Sequence, residues 1–342
     1  MKAAFFEKHG GPEVFRVGDQ PAPVLQEGQA LIRVEACGLN HLDIWIRQGS
    51  LGFPIPLPHW CGSEIVGKVV EYRGQPQPVP VGTRVLVATG IYCGDCRFCR
   101  AHRESLCKQF QIVGLQNNGG YAEVAAAPSK NLIPVNDRFS PAEWAAVPLV
   151  FMTAWHMLKT RAMLEKGETV LIHAAGSGVG SAAVQLAKHF GARVITTVGS
   201  DEKVAKAKAL GADHVIQYKK EDFVKEVAEL TQGEGVDVVF EHIGPDTWTG
   251  SLKALSKGGR LVTCGSTSGP EVTMSMRFLF ARELTIHGCY MGSRFELDEV
   301  LGILSKGAVH PVVHRTFPLE KTPDAHAAME SRAIFGKLVL TI

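Results

Sequence analysis

Residues 168–188 constrain the fold of this chain more than any other segment. They pass from a short apolar run through a loop of small residues into an amphipathic stretch of helical period. Gly176, Gly178 and Gly180 allow the loop to turn tightly and to approach a pyrophosphate, whose charge is met by the first amides of the helix. The strand before the loop and the helix after it supply the context that a glycine triplet needs. The segment predicts a dinucleotide-binding loop; glycines that only allow close packing of helix on sheet are the alternative.

Beyond about residue 140, apolar strand-like runs alternate with helical stretches. This alternation predicts a parallel, doubly wound sheet. The runs are almost wholly apolar, which is typical of strands that helices cover on both faces. The predicted strands are residues 169–173, 193–197, 214–216, 236–240 and 260–263.

The N-terminal part has a different pattern. Up to about residue 127, short strand-like runs such as 30–35, 65–70 and 83–87 are interrupted by Gly and Pro, which predicts a β-rich, barrel-like domain. A chain of 342 residues exceeds the usual size of one core, so two domains are expected. The C-terminal run 336–342 is expected to return to the first domain as a strand.

The fold class is therefore α/β, with a β-rich barrel domain and a doubly wound parallel-sheet domain. The predicted boundaries are 1–149 for the substrate domain, 150–292 for the cofactor domain and 293–342 for a return segment that completes the substrate domain.

Cys93, Cys96, Cys99 and Cys107 lie close together in one predicted loop. Four thiolates are the complete ligand set of a tetrahedral structural zinc, with no position open for water. An iron–sulfur cluster or free thiols are the alternatives. The spacing predicts one structural Zn²⁺.

Charge and hydropathy limit the partners. A formal net charge of +2, from evenly mixed acidic and basic residues, gives no concentrated basic block and predicts no nucleic-acid partner. Residues 1–6 are followed at once by Glu7 and Lys8, and the apolar stretch 145–155 contains Pro148 and is short for a membrane span. A cytosolic enzyme without a membrane partner is expected, and its cysteines should be mostly reduced.

The end of the second predicted strand bears on cofactor choice. Sites that prefer NAD usually carry Asp or Glu there to hold the ribose hydroxyls, whereas this chain has Val198-Gly199-Ser200. Ser200 and Lys203 are predicted to contact a 2′-phosphate, with Tyr218 near the adenine, which favours NADP(H) over NAD(H). Asp201 and Glu202 stand close by, and an exposed helix lysine is the alternative for Lys203.

The cysteine spacing, about seventy residues before the glycine loop, resembles the structural zinc lobe of the medium-chain dehydrogenase/reductase superfamily, and the resemblance extends along essentially the whole chain. The other matching stretches are Gly38-Leu-Asn-His-Leu-Asp43, Arg47-Gln-Gly49, Gly119-Gly-Tyr-Ala-Glu123, Thr153-Ala-Trp155, His173-Ala-Ala-Gly-Ser-Gly-Val-Gly180 and Gly336-Lys337. The resemblance implies a GroES-like substrate domain, a Rossmann cofactor domain, and a homodimer or homotetramer.

The zinc alcohol dehydrogenases of this superfamily bind a second, catalytic zinc through Cys, His and Cys. Here the three ligand positions fall on Asn40, Ser63 and, at or near it, Leu149. An amide, a hydroxyl and an alkyl group do not replace thiolate and imidazole on zinc. Only the Glu that follows the second ligand is kept, as Glu64.

In these respects the chain is similar to the zinc-independent quinone oxidoreductase branch, which normally lacks the cysteine lobe. The sequence thus predicts that the structural zinc is kept and the catalytic zinc lost. A relocated metal site remains the alternative, with ligands drawn from Cys37, His41, His59, Cys61 and Glu64.

Without a Lewis acid for alcohol oxidation, hydride transfer to an electron-poor carbonyl, enone or quinone is the expected reaction. Asn40 and Ser63 would donate hydrogen bonds to the oxygen on which charge develops, and water or Tyr290 would supply the proton. Two other functions remain open: a zinc-dependent alcohol dehydrogenase with unusual ligands, and a non-enzymatic NADPH-binding protein.

The loop and the resemblance together define the candidate residues. The catalytic candidates are Asn40, Asp43, Ser63 and Tyr290. The cofactor-binding candidates are His41, Ala175, Gly176, Ser177, Gly178, Val179, Gly180, Ser200, Lys203, Tyr218, Gly265 and Lys337. For His41, Asp43, Tyr290 and Lys337 a purely structural role is the alternative.

Overall fold

The computed structural model describes residues 1–342, which divide into two compact units. The first unit comprises 1–149, 293–297 and 311–342, and the second comprises 150–292 and 298–310. The sequence places the whole of 293–342 in the return segment, and the structure differs for 298–310. These residues stay with the second unit, where the Gln185 side chain bonds both the amide and the carbonyl of His310.

The chain forms seventeen strands and eleven α-helices. The strands are β1 Lys2–Phe5, β2 Arg16–Asp19, β3 Gln29–Gly38, β4 Glu64–Arg73, β5 Arg84–Val87, β6 Gly90–Ile91, β7 Gln111–Ile112, β8 Val124–Pro128, β9 Leu132–Pro134, β10 Thr169–Ile172, β11 Arg193–Val198, β12 His214–Gln217, β13 Val236–Glu241, β14 Leu255–Thr263, β15 Thr285–Gly288, β16 Val313–Pro318 and β17 Lys337–Thr341. The α-helices are α1 His41–Gln48, α2 Arg97–Arg100, α3 Pro141–Trp144, α4 Pro148–Trp155, α5 Gly178–His189, α6 Asp201–Ala209, α7 Phe223–Leu230, α8 Pro245–Ala254, α9 Met276–Ala281, α10 Arg294–Ser305 and α11 Thr322–Glu330. A π-helix, His156–Arg161, follows α4.

A seven-stranded sheet organises the first unit. Its order is β16-β17-β3-β4-β5-β9, with β8 also paired to β3. The predicted return of the C-terminal run is confirmed, because β17 pairs antiparallel with β3. The start of β17, the end of β3 and the start of β4 therefore lie side by side, which gathers residues that are far apart in the sequence.

A six-stranded, wholly parallel sheet organises the second unit, in the order β12-β11-β10-β13-β14-β15. The first strand of this unit, β10, thus lies inside the sheet, as in doubly wound dinucleotide-binding folds. Val170, Leu171 and Ile172 of β10 are fully buried, as the apolar run predicted. The α/β fold class and both predicted sheets are confirmed.

No helix of the chain has both the length and the apolar character that crossing a membrane requires.

Candidate functional site

The cysteine lobe, residues 93–107, brings its four thiols together between β6 and β7. The Sγ atom of Cys93 lies 3.8 Å from that of Cys99 and 3.5 Å from that of Cys107, and the Cys96 and Cys99 Sγ atoms are 3.5 Å apart. All four sulfur atoms lie within 4.8 Å of one another. With Zn–S bonds of about 2.3 Å, a tetrahedral site needs S···S edges of about 3.8 Å, so these thiols fit a closed structural zinc.

The charge around the lobe suits the same ion. Four thiolates and one Zn²⁺ leave a net charge of −2, which nearby cations can balance. The exposed cations of the lobe and its flank are Arg97, Arg100, Arg103 and Lys108. The amide of Gln109 also donates to the Cys107 sulfur, at 3.4 Å. The lobe contains the only group of three or more His, Cys, Asp or Glu ligand atoms in the chain that is close enough to hold a metal.

A second polar group, here called the Lys337 cluster, consists of Asn40, Glu64 and Lys337. It forms where β17, β3 and β4 lie side by side. The Lys337 ammonium is 2.5 Å from Glu64 Oε2 and donates to Asn40 Oδ1 at 2.7 Å and to the Leu39 carbonyl. Asn40 Nδ2 donates to Glu64 Oε2 at 3.0 Å. Lys337 is 4% exposed and Glu64 is fully buried.

The ammonium fixes the orientation of the Asn40 amide. Lysine can only donate, so the amide oxygen must face Lys337 and the amide nitrogen must face Glu64. Three acceptors surround the ammonium and can take its three N–H groups, whereas Asn40 keeps one N–H beyond the bond to Glu64. The cluster therefore holds a buried positive charge beside one oriented amide donor.

The three positions that correspond to catalytic-zinc ligands lie around Glu64. Asn40 precedes α1, and the amide of Leu149 donates to Glu64 Oε1 at 2.8 Å, so these two positions adjoin the same carboxylate. Ser63 is fully buried next to Glu64, and its hydroxyl has no hydrogen-bond partner. An amide, a hydroxyl, an alkyl group and a paired ammonium do not form a zinc ligand set, and the residues here do not fit a catalytic zinc.

The residues proposed for a relocated metal site have other contacts. His59 Nε2 lies 3.0 Å from the Gly114 carbonyl oxygen, and burial lowers the pKa of His59. The thiols of Cys37 and Cys61 are buried, which raises the pKa of each well above its usual value. His41 packs edge-on against Trp45, with ring centroids 5.0 Å apart. Among these four residues and Glu64, no three have their ligand atoms as close together as the thiols of the cysteine lobe.

Asp43 lies on the first turn of α1 and is fully buried. Its Oδ2 accepts from the backbone amide of Asn40 at 2.7 Å and from the Tyr121 hydroxyl at 3.0 Å, whereas its Oδ1 has no partner. Burial raises the pKa of Asp43 to about 6. The side chain thus ties Asn40 to Tyr121 and can take up a proton near neutral pH.

The predicted dinucleotide loop joins β10 to α5. Ser177 caps the helix, its hydroxyl accepting from the Gly180 amide at 2.9 Å. A Cβ atom on Gly180 would lie only 2.3 Å from the Ala174 carbonyl oxygen, so only glycine allows this approach. The first amides of α5 remain as donors for an anion, and the loop fits a pyrophosphate. Ala175, Gly176, Gly178 and Val179 lie in the same turn, and their cofactor contacts stay predictions.

The predicted 2′-phosphate residues follow the carboxyl ends of β11 and β12, which pair with each other. The Lys203 amide donates to the Ser200 carbonyl, and the Tyr218 hydroxyl stands against the backbone of Gly199. Lys203 is partly buried, which lowers its pKa.

Both neighbouring carboxylates are already paired: Asp201 with Lys220 at 2.6 Å and Glu202 with Lys206 at 2.5 Å. The two carboxylates that could have opposed a 2′-phosphate thus have cationic partners of their own.

Two further candidates lie near other strand ends. The Gly265 carbonyl accepts from the Thr263 hydroxyl at 3.1 Å, just after β14. Tyr290 follows β15 and is 54% exposed, and partial burial raises the pKa of its hydroxyl. The structure leaves the roles of both residues as predictions.

The sequence did not reveal two polar networks. The pairing of Glu64 with Lys337 joins distant segments. A second network, in which His173 joins Thr197 to Ser251 and Ser251 bonds Glu241, lies beside the dinucleotide loop. A polar residue at the end of a buried strand, as with Thr197 and Glu241, was the available signal for the second network.

Comparisons with known proteins agree with this architecture. Residues 26–137 match the family described as alcohol dehydrogenase GroES-like domain, and residues 178–306 match the family described as zinc-binding dehydrogenase.

Similar proteins span the full length. A quinone oxidoreductase of Rattus norvegicus is 31% identical over 350 residues, covering 100% of this chain and 98% of the relative. An alcohol dehydrogenase of Geobacillus stearothermophilus is 30% identical, covering 100% and 99%. A crystal structure of an NAD-dependent alcohol dehydrogenase superposes with a TM-score of 0.96 at 41% identity, covering 100% of both chains.

Proposed function

Since the chain belongs to the medium-chain dehydrogenase/reductase superfamily and is an NAD(P)-dependent oxidoreductase of small molecules, we propose that it reduces a carbonyl, enone or quinone without a catalytic zinc. The proposal includes one structural Zn²⁺ in the cysteine lobe and a preference for NADP(H).

The Lys337 cluster carries this proposal. In place of metal ligands, the chain has a buried ammonium 2.5 Å from Glu64 and an amide held by both charges. A second dication beside the ammonium would be repelled, and the nearest donors bind zinc poorly. An amide donor acts best on an acceptor that is already electron-poor, which favours reduction over oxidation of an unactivated alcohol.

The proposed chemistry follows from these groups. A nicotinamide cofactor held at the dinucleotide loop would supply the hydride for the carbonyl carbon, and negative charge would develop on the carbonyl oxygen as the C=O electron pair moves there. Asn40 donates its remaining N–H to that oxygen, and Lys337 and Glu64 hold the amide so that it need not reorient. The proton that completes the alcohol comes from water or from the hydroxyl of Tyr290, which is protonated at neutral pH. Ser63 would act as a second donor only after its buried hydroxyl turns toward the substrate.

The cofactor preference is supported by charge at the end of β11. Ser200, Lys203 and Tyr218 form one edge, and the carboxylates that would repel a 2′-phosphate are paired to lysines. A phosphate there would meet a lysine and a hydroxyl, the groups that recognise it.

NADPH oxidation with a panel of quinones, enones and aldehydes tests the function. We expect turnover with at least one acceptor by zinc-loaded enzyme, and a loss of about 100-fold in kcat for Asn40→Ala, with the KM for NADPH unchanged. Tight cofactor binding without turnover on any acceptor would reject the proposal.

A zinc-dependent alcohol dehydrogenase is the second candidate, favoured by the 41% identity to the structure of an NAD-dependent alcohol dehydrogenase. Alcohol oxidation that rises in proportion to a second bound zinc would support it.

We also propose a cytosolic homodimer or homotetramer. The strand β15 ends the sheet of the second unit with one edge unpaired, and Met276 and Phe280 of α9 are largely exposed. Light scattering on wild type and Phe280→Asp tests the assembly, which the added charge should weaken.

A further inference from the structure

We propose that His173 is a positioning residue that holds the dinucleotide loop in shape through a one-way chain of hydrogen bonds ending on Glu241. This inference rests on the proposed binding of a nicotinamide cofactor by that loop. All members of the chain lie in the second unit.

One half of the chain runs from His173 to Glu241. His173 directly follows β10 and is buried, and its Nε2 lies 2.9 Å from the Ser251 hydroxyl oxygen. The Ser251 hydroxyl lies 2.7 Å from Glu241 Oε2. An ionised carboxylate only accepts, so the Ser251 proton points to Glu241 and the Ser251 oxygen accepts from His173 Nε2.

The carboxylate that ends this half is firmly anchored. Glu241 accepts from the amides of Ile243 at 2.7 Å and Gly244 at 3.2 Å, and from the Thr247 hydroxyl at 2.8 Å. The His173 ring, the Ser251 hydroxyl, the Ile243 amide and the Thr247 hydroxyl together hold the pKa of Glu241 below its usual value, despite burial. The Ser251 proton therefore has a fixed acceptor.

The other half of the chain reaches the loop. Burial lowers the pKa of His173 to about 4, so the ring is neutral and Nδ1 accepts when Nε2 carries the proton. Thr197 Oγ1 lies 3.3 Å from Nδ1 and accepts from the Ala174 amide at 3.0 Å. The Thr197 hydroxyl thus donates to His173 and accepts from Ala174, which sets its orientation.

The residue held in this way shapes the loop. Ala174 has a φ of 50°, a left-handed conformation that is unfavourable for a residue with a Cβ atom. Its carbonyl oxygen is the atom that a Cβ atom on Gly180, at the start of α5, would meet at 2.3 Å. The chain of hydrogen bonds therefore stabilises the peptide against which the first turn of α5 packs, and whose neighbours would face the pyrophosphate.

The test measures NADPH binding by its fluorescence, together with steady-state kinetics. Thr197→Val removes the hydroxyl that joins His173 to Ala174 and leaves the Ala174 amide without its partner, so the Kd should rise about tenfold. The KM for NADPH should rise with it, whereas kcat at saturating NADPH should be unchanged.

Two substitutions of the histidine separate positioning from packing. Asn can place an amide oxygen near the Nδ1 position and keep the bond to Thr197, whereas Gln can place an N–H near the Nε2 position and lose it. We expect His173→Asn, which loses the anchor on Ser251 but keeps the bond to Thr197, to bind NADPH more weakly than wild type, and His173→Gln to bind it several-fold more weakly still.

The matched control is Thr247→Val, which removes a hydrogen bond from the same Glu241 carboxylate but lies outside the chain to the loop. Its Kd should equal that of the wild type. A Thr247→Val effect as large as that of Thr197→Val would overturn the inference. Equal Kd values for His173→Asn and His173→Gln would also overturn it, and this second test holds even if Thr197→Val fails to fold. A wild-type protein that binds neither NADPH nor NADH would instead reject the proposed function.

Discussion

The cysteine lobe and the Lys337 cluster lie in the same unit, and both hold polar groups close together, but they are built in different ways. The lobe draws four soft ligands from one short loop, with Cys93 and Cys107 only 14 positions apart. The cluster draws an amide, a carboxylate and an ammonium from three strand ends, and Asn40 and Lys337 are 297 positions apart. The cysteine lobe suits a metal ion, whereas the Lys337 cluster already contains a cation, the Lys337 ammonium. A metal in one part of a dehydrogenase therefore says little about metal in another.

The largest expected effect comes from removing the cation of the cluster. Lys337→Met leaves Glu64 buried without its counterion, which should lower the free energy of unfolding by about 3–5 kcal/mol. Urea denaturation measures the change. Adding Glu64→Gln to Lys337→Met should restore part of the lost stability. Equal stability of the single and the double variant would show that the loss does not come from the unpaired Glu64 carboxylate.

Asp43, which accepts a hydrogen bond from the backbone amide of Asn40 in the cluster, should make stability depend on pH. The folded pKa of about 6 lies above the unfolded value near 3.9, so the folded state binds more protons between them. Relative to Asp43→Asn, the wild type should be most stable below about pH 4 and lose about 3 kcal/mol as the pH rises through 6. Denaturant midpoints at several pH values check this. A difference that is constant with pH would contradict the raised pKa.

The lobe should respond to loss of metal instead. Cys99→Ser should release the zinc and lower the free energy of unfolding by about 2 kcal/mol, because an ion bound only to the folded state stabilises it. Elemental analysis and thermal denaturation follow the two effects. Cys61→Ser is the control, since that buried thiol lies outside the lobe. Zinc lost equally from both variants would argue against the assigned ligands.

The smallest effect concerns the cofactor. Lys203→Ala should weaken the preference for NADPH over NADH about tenfold, because a charge-assisted bond to the 2′-phosphate is lost. The ratio of kcat/KM for the two cofactors measures it. Lys206→Ala, which removes a lysine already paired with Glu202, should leave the ratio unchanged. An unchanged ratio for Lys203→Ala would remove this residue from the phosphate site.

The same contrast explains what the sequence could predict. The lobe and the strands of the parallel sheet were predictable because their signals are local: four cysteines in one loop, and apolar runs such as β10 and β13. The Lys337 cluster was not, since strand pairing alone brings β17 beside β3 and β4. Sequence reasoning named Asn40 and Lys337 but gave them separate roles. The division of α10 between the two units, near residue 297, also has no local signal.

Zinc stoichiometry tests the central claim most directly. Elemental analysis of the purified enzyme should give one zinc per chain, unchanged by Cys37→Ala or His59→Ala and lost with Cys99→Ser. Two zincs per chain, with the second lost in the Cys37 or His59 variant, would contradict the account and show a catalytic metal beside the Lys337 cluster.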